Sequence, residues 1–309
     1  MKDLKMKVLL ENVHRSSTSG PNSFANKLIP KLEKMNVEFV SDNYDLSLCF
    51  IQSHTAPKRP RVQRLDGIYF NIEQDYKNQN RQILETYNNS SGVIFQSMFN
   101  KSLIEKYFGA HKNSVVIHNG ADFETIENCA PMKNNSYNNI WSCAASWRPH
   151  KRLDENIRYF LEHKQEHDLL IVAGEVPEKD KIKEDNVVYF GNLSQKQLYS
   201  LYKASKNFIH LAWLDHCPNV VVDARAAGCH IICSSTGGTS EIAGKNATII
   251  QEDKWDYRPV KLYQPPKMLF DRKIKNNYIS CYDMNGVSRL YKNFMETVVQ
   301  NENNQTITK

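Results

Sequence analysis

Two acidic residues in the second half of the chain have the types and spacing to bind a sugar. Asp215 and Asp223 flank seven residues in the stretch LDHCPNVVVDARAAG, the first just before a predicted helix and the second on it. Carboxylates accept hydrogen bonds from vicinal hydroxyls such as those of ribose or a hexose. Both side chains can therefore face one sugar-containing ligand. In the alternative interpretation, Asp215 caps the helix and Asp223 is a solvated helix residue.

The start of the same helix is suited to bind a phosphate. Pro218 is predicted as the first helical residue, because a proline lacks an N–H group that is not needed there, and Gly228 is predicted to end the helix. Such a helix start, after the carboxyl end of a parallel strand, favours anions. Three backbone N–H groups are expected to be free there: those of Asn219, Val220 and Val221.

Four motifs in this half, taken in order, resemble the retaining, GT-B-fold glycosyltransferases of family GT4. Asp215-x7-Asp223 followed by ARAAG resembles the E-x7-E motif, and STGGTSE resembles the Gly-Gly-x-x-Glu turn after it. Upstream, SWRPHKRLD resembles the basic segment that holds the donor diphosphate, and YFGNLS resembles the turn that contacts the base. The resemblance covers about residues 140–245 strongly and the first half loosely.

The resemblance implies a role for each matching residue. Asp223 would bind the donor ribose and Asp215 the transferred sugar. Lys151 would bind the phosphates together with Arg148 or Arg152, because Ser146 stands where the family has its arginine. Further donor contacts are implied for Pro218, Asn219, Val220, Gly191, Asn192, Leu193, Gly237 and Gly238.

The matching segment also departs from the family. Both acidic positions hold Asp instead of Glu, so each side chain is shorter by one carbon–carbon step, about 1.5 Å. The donor is then expected to sit deeper, or to carry a different sugar. For Lys151, the alternative is a solvated basic run that opens a helix.

The first half offers candidates for the acceptor side. Gly20 and Pro21 lie in the loop HRSSTSGPNS after the first predicted strand, where a glycine allows a ligand to approach the backbone. His14 and Asp66 are predicted at strand ends that point to an interdomain cleft, and the resemblance implies a catalytic contact there. The alternative for Gly20 and Asp66 is an ordinary turn. IHNGAD is predicted to form the edge of the hinge, with Asn119–Gly120 as a turn.

Strand and helix patterns alternate along the chain and predict an α/β protein with parallel sheets covered on both faces. Two such series predict two Rossmann-like, doubly wound domains facing a central cleft, which is the GT-B fold that the resemblance implies. We place the first domain at residues 1–138 and the second at 139–285, with a C-terminal helix at 286–305 packing back on the first. The tail NENNQTITK is predicted to be frayed, and the segment from Gln251 to Asn276 to be irregular.

Composition excludes several classes of protein. The chain has 309 residues, 40% hydrophobic and 24% charged, which is typical of a globular protein. It shows no secretory signal and no apolar run near the roughly 20 residues of a membrane helix. Its seven cysteines form no CxxC pair. We therefore expect buried thiols, a cytoplasmic location (the host cytoplasm if the protein is viral), at most peripheral membrane contact and no nucleic-acid partner.

The sequence thus predicts transfer of a hexose-type sugar from a nucleoside-diphosphate sugar to a glycan, glycolipid or glycoprotein acceptor, with retention as the resemblance implies. No cofactor and no metal site are expected, because a DxD-type metal pair is absent and the helix start with its basic side chains can offset the diphosphate charge. A sugar-nucleotide epimerase and a non-catalytic binding module are the alternatives. A dinucleotide oxidoreductase comes last because G-x-G-x-x-G is absent.

Overall fold

The computed structural model describes residues 5–17, 19–134 and 136–307. The chain divides into two compact units, unit 1 from Met1–Gly120 with Cys281–Lys309 and unit 2 from Ala121–Ser280. The boundary lies within IHNGAD, ahead of the predicted one at residue 138. The intervening residues belong to unit 2 because helix α5 (Phe123–Glu127) packs on two of its helices and the Met132 N–H donates to the Ser200 carbonyl.

Unit 1 contains a six-stranded, all-parallel sheet in the order β2-β1-β3-β4-β5-β6. Its central strands β3, β4 and β5 are buried along their whole length, because helices cover both faces of a parallel sheet. The strands are β1 (Met6–Glu11), β2 (Val37–Phe39), β3 (Leu46–Phe50), β4 (Arg61–Leu65), β5 (Gly92–Phe95) and β6 (Ser114–Val116). The helices are α1 (Gly20–Glu33), α2 (Tyr76–Gln79), α3 (Arg81–Asn88), α4 (Met98–Phe108) and α10 (Met284–Ile307).

The C-terminal helix α10 is part of the unit 1 core. Tyr291 packs on Phe24 of α1, with ring centroids 5.7 Å apart. A Cβ atom at Gly120 would lie 3.0 Å from the Met284 Cα, so this glycine permits the close approach of α10. The turn predicted at Asn119–Gly120 is wrong, because the backbone forms no turn at residues 117–120; Asn119 is buried and accepts a hydrogen bond from Arg64 at 2.8 Å. The tail predicted as frayed continues the helix to Ile307, and residues 308–309 lie outside the described residues.

Unit 2 contains a seven-stranded sheet in the order β13-β12-β11-β10-β7-β8-β9, parallel except for the β12–β13 pair. Edge strand β13 falls in the segment predicted to be irregular. The strands are β7 (Ile140–Ala144), β8 (Leu169–Ala173), β9 (Val187–Gly191), β10 (Ser205–His210), β11 (His230–Ser234), β12 (Thr248–Ile250) and β13 (Lys273–Ile274). The helices are α5, α6 (Leu153–His163), α7 (Gln195–Ala204), α8 (Asn219–Ala226) and α9 (Thr239–Ile242), with 3-10 helices at Pro149–Lys151 and Glu178–Asp180.

The structure tests two expectations drawn from composition, namely buried thiols and the lack of a membrane-spanning helix. All seven cysteines are free thiols, and six are buried, the exposed one being Cys281. Within the described ranges, no helix combines the length and the apolar character needed to cross a bilayer.

Candidate functional site

Three loops of unit 2 meet where the central strands β7, β10 and β11 end. These strands are neighbours in a parallel sheet, so their carboxyl ends lie at one edge. The loop after β10 is hydrogen-bonded to both of the others. The Trp213 N–H donates to the His150 carbonyl at 2.7 Å, and the Gly238 N–H donates to the Asp215 carbonyl at 2.7 Å. The predicted phosphate-binding, sugar-binding and glycine-rich segments are therefore adjacent.

Lys151 is the last residue of a one-turn 3-10 helix, and the side chain of Asn156 stabilises its end by hydrogen bonds. The Asn156 amide donates to the carbonyls of Lys151 (3.1 Å) and Arg152 (2.5 Å) and accepts from the Leu211 N–H (3.2 Å). Arg152 reverses the chain there in the left-handed region, with φ +52°. The backbone of Lys151 is thus held to the loop that carries Asp215.

Asp215 forms a compact polar cluster with Lys151 and His210. Its Oδ2 lies 2.6 Å from the Lys151 Nζ and 2.8 Å from the His210 Nε2, while Oδ1 accepts from the His216 N–H at 2.9 Å. Although burial alone would raise the pKa of the Asp215 carboxyl, Lys151 and His210 hold it well below its usual range. Asp215 is therefore anionic and paired with a cation.

His210 is the neutral member of this cluster. Burial lowers the pKa of His210, the Asp215 carboxylate opposes the effect, and the charge of Lys151 lowers the pKa further. The imidazole must then donate its Nε2–H to Asp215, because a carboxylate can only accept. Burial also lowers the pKa of His150 to about 3 and that of His216 to about 4, so the nearby histidines are neutral as well.

The glycine-rich turn is built against the backbone of Asp215. Gly237 has φ +89°, a conformation that L side chains rarely adopt. A Cβ atom there would lie 2.5 Å from the Asp215 carbonyl oxygen and 2.8 Å from its nitrogen. Only glycine fits this position, and the turn in return fixes the backbone that carries the Asp215 carboxylate.

Arg152 supports this turn from within the unit. The side chain is 1% exposed and bonds the Glu252 carboxylate at 2.7 Å and the Pro266 carbonyl at 2.9 Å. Glu252 in turn accepts from the hydroxyls of Ser234 and Thr236, at the start of the glycine-rich turn. Phosphate binding by Arg152, which stays a prediction, would require this buried ion pair to break, whereas Arg148 is exposed.

Helix α8 begins one residue later than predicted. Asn219 is its first residue, and Pro218 precedes it with ψ 121°. The Val221 N–H donates to the Pro218 carbonyl at 3.1 Å, so the prediction that this group is free is wrong. Among the described residues, the Val220 N–H has no backbone acceptor. The helix ends at Ala226, and Gly228 follows with φ +99°.

Asp223 and Asp215 have different neighbours. Asp223 is 8% exposed, and its electrostatic neighbours include Tyr199 and Tyr202 of α7. Burial, together with the negative charge of Asp223, raises the pKa of both phenols. Ribose binding by Asp223 stays a prediction. Contact of residues 191–193 with the base also stays a prediction. At this end of β9, Gly191 has φ +64°, Asn192 is exposed and Leu193 is partly buried.

The predicted residues of unit 1 lie at the ends of β1 and β4. The His14 side chain is exposed, and the backbone N–H of His14 donates to the Asn22 side-chain oxygen at 2.8 Å. Gly20 opens α1, with Pro21 next, and a Cβ atom at Gly20 would meet nothing within 4 Å. Asp66 pairs with the buried Arg64 guanidinium. The catalytic roles of His14 and Asp66 and the acceptor role of Gly20 and Pro21 stay predictions.

Sequence reasoning missed His210 and Glu252. His210 lies in NFIHLAW, where a single histidine in an apolar strand is typical of a core residue; the signal was its position five residues before Asp215. Glu252 lies in a segment without clear periodicity. In the described part of the chain, no cluster of three His, Cys, Asp or Glu side chains has metal-binding geometry.

A comparison with protein families finds the same region. Residues 130–257 match the model of the family described as Glycosyl transferases group 1. The matched stretch lies within unit 2. It includes Lys151, His210, Asp215, the start of α8 and the glycine-rich turn, so the cluster described above falls inside the region that is similar to this family. No curated protein sequence matches the chain.

Solved structures confirm the predicted GT-B fold. AviGT4, a glycosyltransferase involved in avilamycin A biosynthesis, is 11% identical with a TM-score of 0.65, covering 96% of this chain and 98% of its own. HepE from Anabaena, in complex with UDP and glucose, is 15% identical with a TM-score of 0.60, covering 83% and 88%. Sucrose-phosphate synthase from Thermosynechococcus elongatus is 11% identical with a TM-score of 0.63, covering 98% and 99%. The domain match and this fold together support a glycosyltransferase.

Proposed function

We propose that the chain transfers a hexose-type sugar from a nucleoside-diphosphate sugar to a hydroxyl of a glycan, glycolipid or glycoprotein. One observation carries the proposal: the Lys151–Asp215 pair lies beside the start of α8 and against the glycine-rich turn. A cation for phosphate and an anion for sugar hydroxyls stand side by side, which is what a sugar diphosphate requires.

The donor diphosphate binds Lys151, the exposed Arg148 and the start of α8 in this proposal. The Val220 N–H and the helix dipole favour an anion at that end. When the bond to the sugar breaks, negative charge grows on the diphosphate, and these groups offset it without a metal ion or another cofactor. Lys151 exchanges its partner Asp215 for a phosphate oxygen when the donor binds.

The remaining donor groups follow from the predicted roles. Asp215, kept anionic by its surroundings, accepts hydrogen bonds from the transferred sugar, and the backbone of Gly237 and Gly238 closes the same pocket. Asp223 binds the ribose, and residues 191–193 contact the base. The acceptor hydroxyl attacks the face from which the diphosphate leaves, so the configuration is retained, as the resemblance to family GT4 implies. No side-chain nucleophile is required.

The test is a turnover assay with UDP-, GDP- and ADP-sugars and a panel of hydroxyl acceptors. UDP-sugars come first because HepE is a neighbour in complex with UDP. We expect release of the nucleoside diphosphate that depends on the acceptor, persists in EDTA and gives a product with the donor's anomeric configuration by NMR.

Two variants and a control define the site in this assay. Lys151→Ala and Asp215→Asn are each expected to lower kcat/KM by about 100-fold, as loss of one charge-stabilising group does. Lys196→Ala, an exposed lysine on α7, should behave as the wild type. Donor interconversion without an acceptor would instead indicate an epimerase, and binding without turnover a binding module. Wild-type turnover by Lys151→Ala would contradict the site.

A further inference from the structure

His210 occupies an unusual place for a titratable side chain. It is the last residue of the central strand β10, 4% exposed, between β7 and β11. Its Nε2 bonds the same Oδ2 of Asp215 that receives the Lys151 Nζ. One carboxylate oxygen is therefore shared by a lysine side chain and by an imidazole that can take up a proton.

The charges of this cluster balance only while Lys151 stays in place. Lys151 carries one positive charge, Asp215 one negative charge, and His210 none. If Lys151 moves to a ligand phosphate, Asp215 is left as a largely buried anion without a cation, which is costly. A proton on His210 would restore the balance with no change in the hydrogen bond, because Nε2 already donates.

We propose that His210 is a positioning residue that holds the Asp215 carboxylate and takes up a proton from solvent when Lys151 turns to the donor diphosphate. The part of this proposal in which His210 takes up a proton on donor binding rests on the proposed function. The shared contact of Lys151 and His210 with the Asp215 Oδ2 does not rest on it, because both contacts are present without a ligand.

The other titratable groups near His210 do not compete for this role. Cys233 is its register partner on β11, and Cys143 lies on β7; burial raises the pKa of both thiols, so both are neutral. His150 interacts electrostatically with Arg148 and His216, and both histidines interact with Lys151 and Asp215. Lys151 and Asp215 are the charged side chains that shift the pKa of His210 itself.

The first experiment needs no ligand. Histidine titrations by NMR are compared between the wild type and Lys151→Met, with Lys151→Gln as a second variant in case the first does not fold. Loss of Lys151 should move the His210 titration to higher pH, and Lys151→Met with Asp215→Asn should reverse that shift. His230, exposed on β11 and bonded to Thr248, is the control and should titrate unchanged. A His210 titration that is identical with and without Lys151 would overturn the proposal.

The second experiment measures proton uptake when UDP binds, by calorimetry in buffers of different ionisation enthalpy. We expect net uptake in the wild type and its loss in His210→Asn, which can donate to Asp215 but cannot gain a charge. His210→Leu should lower turnover more than His210→Asn does, since it also removes the donor. UDP binding without proton uptake in the wild type would contradict the proposal. Failure to bind any nucleotide would instead contradict the proposed function, and the NMR titration would still decide the role of His210.

Discussion

At the scale of residues, the site depends on close contacts between a few side chains and the backbone. Gly237 is the clearest example, because its φ of +89° and its contact with Asp215 leave no space for a Cβ atom. The glycine therefore allows the turn to pack against the backbone that carries the Asp215 carboxylate.

Gly237→Ala is expected to impair the site beyond its effect on stability. A positive φ typically costs a non-glycine residue about 1–3 kcal/mol, and the contact with the Asp215 backbone must also open. We expect a lower urea midpoint and at least a tenfold loss of turnover. Gly228→Ala is the matched control, since Gly228 has φ +99° but open space around its Cβ position. Equal turnover in the two variants would contradict the role given to Gly237.

The sequence predicted only some of the residues that form the site. Asp215 was identified by its type and spacing, Lys151 and the role of the glycine turn by their resemblance to family GT4, and the three lie together. Arg152 was a candidate phosphate ligand because it lies in the basic segment. The sequence cannot show that Glu252, a hundred positions away, pairs with it. His210 was missed because a strand-end histidine in an apolar run is indistinguishable from a core residue without its neighbour.

At the scale of elements, a buried ion pair ties three segments of unit 2 together. Arg152 precedes α6, Glu252 follows β12, and the Ser234 and Thr236 hydroxyls that bind Glu252 belong to the end of β11 and the turn after it. The alternation of strands and helices followed from the sequence pattern, and the fold confirmed it, although edge strand β13 lies in a segment predicted to be irregular. The contacts of Glu252 with Arg152, Ser234 and Thr236 could not be predicted from the sequence, because they join distant elements and depend on tertiary packing.

Arg152→Met is expected to destabilise unit 2 strongly. The change leaves the Glu252 carboxylate buried without its cation, and breaking a buried pair typically costs about 3–5 kcal/mol. Urea unfolding should show that loss, and Arg152→Met with Glu252→Gln should recover part of it. Arg258→Met is the control: its ion pair with Asp256 is exposed on both sides, and such pairs are worth about 1 kcal/mol or less. A loss no larger in Arg152→Met than in Arg258→Met would contradict this account.

At the scale of the whole molecule, the chain forms two α/β units, and its last segment returns to the first. The alternation of strands and helices was sufficient to predict two parallel sheets. The boundary was predicted too far along the chain, because the described residues of the polar stretch before residue 139 belong to unit 2 and the change of unit occurs within IHNGAD, most of which is buried.

The neutral histidines should make the stability of the protein depend on pH. Burial lowers the pKa of His150 to about 3 and of His216 to about 4 in the folded chain, whereas both titrate near 6.5 when unfolded. The unfolded chain therefore binds more protons below pH 6.5. Stability is fully present above that pH and falls as the pH drops towards 4, by at most about 1.4 kcal/mol per pH unit for each histidine.

Urea unfolding at pH 7.5 and pH 5 measures this slope. The double variant His150→Gln with His216→Gln should show a smaller loss between the two pH values than the wild type. His14→Gln, which changes an exposed histidine, is the control and should keep the wild-type slope. An unchanged slope in the double variant would show that other groups cause the pH dependence.

Calorimetric titration with UDP tests the central claim most directly, since the claim is that the start of α8 and Lys151 hold the donor diphosphate. The wild type and the Lys196→Ala control should bind UDP with equal affinity, and Lys151→Ala should bind at least about tenfold more weakly, as loss of a charge-assisted phosphate contact implies. UDP binding that is unchanged in Lys151→Ala would contradict the account.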